Sequence, residues 1–156
     1  MKSLEIFFSP KGGCTSQIVK YISKTKVSLD IQAFTFTSAP IAKAVLDVYK
    51  KGVPVRIILD SDEATSKYSS ATFFTNMGIA IKIDKKHAIA HNKIIIIDQK
   101  RVITGSFNFT NQAETSNAEN LLVINRPDIA KLYKDNFELH YGHSELYVQT
   151  ESKVLK

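Results

Sequence analysis

The chain has 156 residues, 44% hydrophobic and 23% charged, enough apolar material for one folded domain and too much for a disordered chain. Its one cysteine, Cys14, excludes an internal disulfide framework and a cysteine-rich metal site. A net charge of +6, carried by lysine with only Arg56, Arg101 and Arg126 as arginines, suits a polyanionic partner as well as it suits an ordinary basic protein.

Leu4 to Phe8 reads as a strand that the turn residues Ser9-Pro10-Lys11-Gly12-Gly13 terminate. A helix follows to about Lys24, capped by Thr15 or Ser16, with Ile18, Val19 and Ile22 at helical spacing. Val27 to Phe36 is rich in β-branched and aromatic residues and predicts a strand. Pro40 then opens a helix that carries Ile41, Val45, Leu46 and Tyr49 on one side and stops at Gly52. Val53 to Leu59 is the nearly continuous apolar run of a buried parallel strand, and the alternation of strand, helix and strand argues for an α/β fold.

Ala64 to Met77 predicts a helix ending at Gly78, and Ile79 to Ile83 a short strand. Lys93 to Asp98 and Arg101 to Thr104 predict a hairpin turning at Gln99-Lys100. A loop from Gly105 to about Asn117 leads to a strand over Leu121 to Asn125, and Pro127 opens a last helix to about His140. Residues 1–148 form one expected domain and 149–156 a polar tail. No apolar run approaches the roughly 20 residues that span a bilayer, and the first strand begins too soon for a signal peptide. Membrane association is therefore expected only through a segment outside this sequence.

His91-Asn92-Lys93 and Asp98 fit the pattern H-x-K-x4-D, and Gly105-Ser106-Phe107-Asn108 follows shortly after. On a strand, residues two apart share a face, so His91 and Lys93 can meet one phosphate together. Asp98, seven residues from His91, points the other way and is expected to hold a structural hydrogen bond or ion pair. Ser106 and Asn108 share a side if their segment is extended, and a hydroxyl, an amide and the Lys93 ammonium then make a phosphate cradle without a metal or a glycine-rich loop. Taken alone, Gly105 to Asn108 would be an ordinary loop start; its place after the His–Lys pair gives it weight.

The ordered set His91, Lys93, Asp98, Gly105, Ser106 and Asn108 resembles the signature of the phospholipase D superfamily. Its continuation through Phe109-Thr110 and Glu114 to Asn120 is similar to the small bacterial Nuc-type endonucleases of that superfamily, as are Phe34-Thr35-Phe36-Thr37 and Gly52-Val53-Pro54-Val55. The resemblance implies an α/β fold with a central mixed sheet sandwiched by helices. It also implies a metal-independent phosphodiesterase acting on DNA, single-stranded DNA included, or on RNA, and needing no cofactor. His91 would attack phosphorus and form a phosphohistidine, Lys93 and Asn108 would hold the non-bridging oxygens with Ser106, and Glu119 would hydrogen-bond and orient His91. The mechanism needs a second histidine as acid and base, and the resemblance implies a homodimer in which two His91 residues share one site. It further implies a bacterial envelope or periplasmic location.

Around this centre the residues keep plainer readings beside the functional ones. His87, His140 and His143 read as exposed or helix-capping histidines, and no cluster of Asp, Glu, His and Cys has a convincing metal-ligand arrangement, so no metal site is expected. Lys82, Lys85 and Lys86, with Phe73, Phe74 and Tyr68 before them, could track a nucleic-acid strand, although each ring is better placed in the core and the lysines are the stronger candidates. Cys14 would need a base beside it to act as a nucleophile, and none is local. Two other functions use the same residues: a phospholipase acting on a lipid such as cardiolipin, against which no strongly amphipathic surface helix is evident, and a catalytically silent nucleic-acid-binding module, against which every expected catalytic residue is present.

Overall fold

A computed structural model describes residues 2–66 and 69–148; Tyr68 and the polar tail 149–156 lie outside the described residues. The strands are β1 (Leu4–Ser9), β2 (Leu29–Ala33), β3 (Val55–Asp60), β4 (Ile81–Asp84), β5 (Ile94–Ile97), β6 (Arg101–Gly105), β7 (Glu119–Ile124) and β8 (Glu145–Leu146). The helices are α1 (Cys14–Ser23), α2 (Ala39–Lys50), α3 (Ala71–Asn76), α4 (Asn111–Thr115) and α5 (Pro127–His143). All eight strands form one mixed sheet in the order β1-β7-β6-β5-β2-β3-β4-β8. β2, β3 and β4 are parallel, as crossover helices require, and the other pairings are antiparallel.

β5 is a run of four isoleucines, β2 and β3 are mainly apolar with Asp30, Gln32, Arg56 and Asp60 among them, and β2 and β5 are buried along their whole length. One face of the sheet packs against α1, α2 and α3, with Ile18, Ile22, Val45, Phe36 and Phe74 in that core. The other face packs against α5 through Ile58, Ile94, Ile96, Val102, Ala130 and Phe137. Arg56 joins the second layer electrostatically: its guanidinium donates to the buried Asp30 at 2.9 Å and to Glu138 of α5 at 2.5 Å. On the α5 side the β1–β7 end of the sheet is uncovered, and Leu4, Ile6 and Phe8 are exposed there, Phe8 by 65%.

Local physics shifts several predicted boundaries. The cap of α1 is Gly13, at φ 86°, and the Thr15 N–H is taken instead by the Glu114 carboxylate at 2.7 Å, so the helix starts earlier than Thr15 or Ser16. The predicted helix over 64–77 is split into a 3₁₀ turn (Ser61–Ala64) and the short α3. Between them the Ser70 N–H is drawn to the Phe36 carbonyl and Ser69 Oγ takes the Ala71 N–H, an alternative to helical bonding that serine offers readily. The hairpin turns on Asp98 and Gln99, both at positive φ, with Ile97 opposite Arg101. The 105–117 loop contains α4, and α5 runs on to His143 before β8, an edge strand the sequence reading lacks.

Candidate active site

β5, β6 and β7 are antiparallel neighbours, so the start of β5, the end of β6 and the start of β7 meet at one end of the sheet. His91 and Lys93 lie just before β5, Ser106 and Asn108 just after β6, and Glu119 opens β7. Together with Asn92, Thr104, Gly105 and Asn120 they line an open cleft of about 620 Å³. The sheet's antiparallel half thus gathers all the residues of the expected phosphate cradle into one concavity.

Lys93 is 7% exposed and its ammonium sits 3.0 Å from His91 Nδ1 and 2.8 Å from the His91 carbonyl oxygen. An ammonium can only donate, so the ring nitrogen facing it accepts. Burial pushes the Lys93 pKa down, while the negative charge of Glu119 opposes that shift. The Lys93 carbonyl is fixed by Thr104 Oγ1 at 3.0 Å. The His91 ring is exposed on one side and backed by Phe34 on the other, with ring centroids 4.8 Å apart. Phe34 carries no role in the sequence reading; its position next to His91 follows from the end of β2 lying beside the start of β5.

Gly105 has φ 142°, and a Cβ there would meet the Asn120 carbonyl oxygen at 2.3 Å, so only glycine fits. The close approach allows the Ser106 N–H to donate to that carbonyl at 3.1 Å and the Asn120 N–H to donate to Ser106 Oγ at 3.0 Å. Ser106 Oγ accepts from the Asn120 N–H and, at 3.3 Å, from Asn120 Nδ2, and keeps its own proton for a ligand. Asn108 Oδ1 is buried with no hydrogen-bond partner, so this amide is not consumed in holding the fold.

Three expectations change. His91 and Lys93 precede β5 rather than belonging to it, so they converge through the Lys93–His91 contacts, not through strand alternation. Glu119 makes no hydrogen bond to His91 among the described residues; it accepts from Asn117 Nδ2 at 3.2 Å and acts on Lys93 through its charge. Phe74 is fully buried in the core and cannot meet a nucleic acid.

Phe73 is partly exposed in a groove between α2 and α3, away from the cleft. Lys82 Nζ donates to the Tyr141 carbonyl at 3.0 Å and covers its ring, and Lys85 pairs with Glu145 at 3.7 Å. Lys86 follows β4 and donates its backbone N–H to Asp84. These lysines therefore stand at the β4–β8 side of the sheet, separated from β5 by β2 and β3. Asp98 is on the opposite end of β5 from His91, where Oδ1 accepts the backbone N–H groups of Lys26, Val27 and Ser28 at 3.0, 2.7 and 3.2 Å.

His87 is exposed, as expected, and His140 and His143 lie half-buried in the last turn of α5, but the three are not independent of one another. All three turn toward Asp84: His87 and His143 lie within hydrogen-bond distance of its carboxylate, and His140 Nδ1 stands 3.7 Å from it. Burial would raise the Asp84 pKa, but hydrogen bonds from His87, His143 and the backbone hold it at about 2. Cys14 is fully buried, and burial followed by the nearby Glu114 charge pushes its thiol pKa up, which suits packing and not nucleophilic attack.

Comparison with known proteins places this geometry. The family model described as "Cardiolipin synthase, PLD-like domain" matches residues 18–141. A protein named phospholipase D from Rickettsia conorii is 42% identical over 130 residues, covering 83% of this chain and 65% of that one. A mitochondrial cardiolipin hydrolase from Chlamydomonas reinhardtii is 39% identical over 123 residues, 79% of this chain and 55% of its own length. The chain thus spans less than two thirds of these curated relatives. The crystal structure of Nuc, a phospholipase D family member from Salmonella typhimurium, superposes with a TM-score of 0.89 at 35% identity, covering 94% of this chain and 99% of that one.

Proposed function

The chain belongs to the phospholipase D superfamily and is of the Nuc type, and from that premise we propose that it is a hydrolase that cleaves phosphodiester bonds of DNA or RNA through a covalent phosphohistidine. The observation that carries this reading is the His91–Lys93 pair, 3.0 Å apart in a cleft that also holds Ser106 and Asn108. An imidazole facing a fixed cation and two neutral polar groups is complementary to a phosphate diester under nucleophilic attack.

In this reading His91 attacks phosphorus and the P–O bond to the leaving oxygen breaks. Lys93, Ser106 and Asn108 bind the non-bridging oxygens, whose charge grows in the transition state. A second imidazole protonates the leaving oxygen, then takes a proton from the water that hydrolyses the phosphohistidine. Glu119 balances the charge of Lys93. The cradle supplies cationic and dipolar stabilisation from the chain itself, so the chemistry at phosphorus is assigned to these side chains without a metal.

The second imidazole is assigned to His91 of another copy of the chain. His87 and His143 are engaged at Asp84 with His140 beside them, and β4 is about 14 Å of sheet from β5 at ~4.8 Å per strand step. The exposed Leu4, Ile6 and Phe8 adjoin β7, which contributes Asn120 and Glu119 to the cleft. They form an apolar surface beside the site, suited to a two-fold interface.

Nucleic acid is favoured over lipid by the polar lining of the cleft and by the whole-length likeness to Nuc. The names of the Rickettsia and Chlamydomonas relatives favour a lipid phosphodiester instead. The two are separated by incubating the protein with labelled single- and double-stranded DNA and RNA and with cardiolipin liposomes, all with EDTA present at 25 °C. Cleavage of nucleic acid with intact liposomes is the expected outcome. Hydrolysis of the liposomes alone would give the site to lipid, and nucleic-acid binding without any cleavage would leave a silent binding module.

A further inference from the structure

We propose that Asp84, His87, His140 and His143 bind a divalent transition-metal ion with the coordination chemistry of zinc, at a site distinct from the His91 cleft. The four residues come from three places: Asp84 ends β4, His87 lies in the segment leading to His91, and His140 and His143 stand three apart on the last turn of α5. Each offers one ligand atom, and the four atoms lie within 4.8 Å of one another. Three imidazoles and one carboxylate oxygen are a donor set that zinc accepts in tetrahedral geometry.

The distances fit. Metal bonds of about 2.0–2.1 Å place neighbouring ligand atoms of a tetrahedron about 3.3 Å apart. Asp84 Oδ2 is 2.8 Å from His87 Nδ1, 3.3 Å from His143 Nε2 and 3.7 Å from His140 Nδ1. The ring centroids form a nearly equilateral triangle with sides of 5.0, 5.1 and 5.3 Å. The three carboxylate-to-nitrogen distances lie within about 0.5 Å of that edge, and no two of the four atoms are farther apart than 4.8 Å, so closure about one centre needs contraction by about 1.5 Å at most.

The Asp84 carboxylate is prepared for this role. It is fully buried, and its other oxygen, Oδ1, accepts the backbone N–H groups of Lys86 at 2.9 Å and His87 at 3.3 Å. These bonds fix the carboxylate and leave Oδ2 toward the imidazoles, the usual division between a ligating and a supported oxygen. A plain histidine–carboxylate hydrogen-bond cluster would account for His87 and His143. It leaves His140 Nδ1 buried and without a hydrogen-bond partner. A cation between the four groups satisfies that nitrogen, and the C-terminal end of α5 favours positive charge there.

Filled by four protein atoms, the site is closed and structural. It ties the end of α5 to β4 and anchors the segment that runs to His91. The other side of that segment is held by the Ala90 N–H, which donates to Asp60 Oδ1 at 2.7 Å. The ion touches no group in the catalytic cleft, so chelation removes stability and leaves the chemistry at phosphorus intact.

The full chain, produced without a polyhistidine tag and stripped with EDTA, is titrated with zinc, and bound metal is counted after gel filtration. One zinc per chain and a rise in melting temperature are expected, with the same stoichiometry in His91→Ala. His140→Ala/His143→Ala should bind at least ~100-fold more weakly, beyond what loss of an outer-shell partner costs, and its melting temperature should no longer respond to zinc. If that pair fails to fold, His143→Asn and wild type are loaded with cobalt: a tetrahedral visible spectrum in wild type, altered in the variant, supports the site. No zinc on the wild-type chain, or equal binding by wild type and the double variant, overturns the proposal, as does an octahedral or unaltered cobalt spectrum.

Discussion

Lys93 reaches back over two residues to grip His91 twice, at the ring nitrogen and at the main-chain carbonyl. The residue that binds phosphate in the proposed mechanism therefore also sets the position of the nucleophile. It does so as a cation held almost out of water, an arrangement that costs stability.

Replacing Lys93 with Met keeps most of the volume and removes the buried charge. Turnover should fall about 100-fold or more, the usual effect of losing a charge aimed at a transition state. The melting temperature should hold or rise by a few degrees, as about 1 kcal/mol shifts a chain of this size by ~2–4 °C. Because burial lowers the Lys93 pKa, the unfolded chain holds this proton to higher pH than the folded one. Wild-type stability thus gains a contribution as pH rises from the folded value toward the unfolded value near ~10.4, and Lys93→Met lacks it. Melting curves across alkaline pH and steady-state rates test both halves; a variant both inactive and much less stable would contradict them.

Asp98 should behave in the opposite way. Its carboxylate accepts three backbone N–H groups at the start of β2 and its backbone is left-handed. Asp98→Ala should lower stability by about 1–3 kcal/mol and leave the turnover of the folded fraction within about twofold of wild type, since that range of change is what sites outside the reacting geometry produce. Denaturant titration beside kcat decides it. Loss of turnover in a fully stable Asp98→Ala protein would mean that Asp98 acts on the site.

Gly105→Ala couples both effects. The added Cβ at φ 142° would press on the Asn120 carbonyl, costing about 1–3 kcal/mol as strain at a special backbone position. It would also separate Ser106 from Asn120, so kcat should fall along with the melting temperature. A variant that melts earlier with unchanged kcat would show that the Ser106–Asn120 contact is not needed for catalysis.

The shared site is tested by mixing. Fully exchanged wild-type and His91→Ala chains at equal amounts give about a quarter wild-type dimers, half mixed dimers and a quarter mutant dimers under two-fold symmetry. Mixed dimers would hold one imidazole at the shared site, able to attack but without an acid for the leaving group. Activity per chain should fall to about a quarter of the unmixed value, whereas self-sufficient chains give about half. Native mass spectrometry should establish exchange first, and a value of half after proven exchange would rule out sharing.

The parts of the molecule legible in the sequence are those carried by short spacing. His91 and Lys93, then Gly105, Ser106 and Asn108, flank the open end of one hairpin, β5–β6, so a pattern over a few residues already reports their neighbourhood. The apolar runs of β3 and β5 announced buried strands for the same reason. What was illegible depends on distant chain segments. Asp84 and His143 are 59 residues apart and meet only because α5 returns to β4. Glu114 caps α1 from 99 residues away, which no local cap rule could supply. The predicted helix over 64–77 failed because Ser69 and Ser70 find other partners than the next helical turn.

The sheet order has a consequence for how the chain is made. β1 lies early in this sequence, yet among the described residues its one strand partner is β7, with Ser9 opposite Glu119, 110 residues later. At ~5–20 residues per second a ribosome needs on the order of ten seconds to deliver that partner. Through that interval Leu4, Ile6, Phe7 and Phe8 travel as an unpaired apolar strand, the kind of segment that sticks to other nascent chains. β1 can therefore dock only after the middle of the sheet has been made, and the yield of soluble protein becomes a race between translation of β7 and capture of β1 by a chaperone or by another copy of itself.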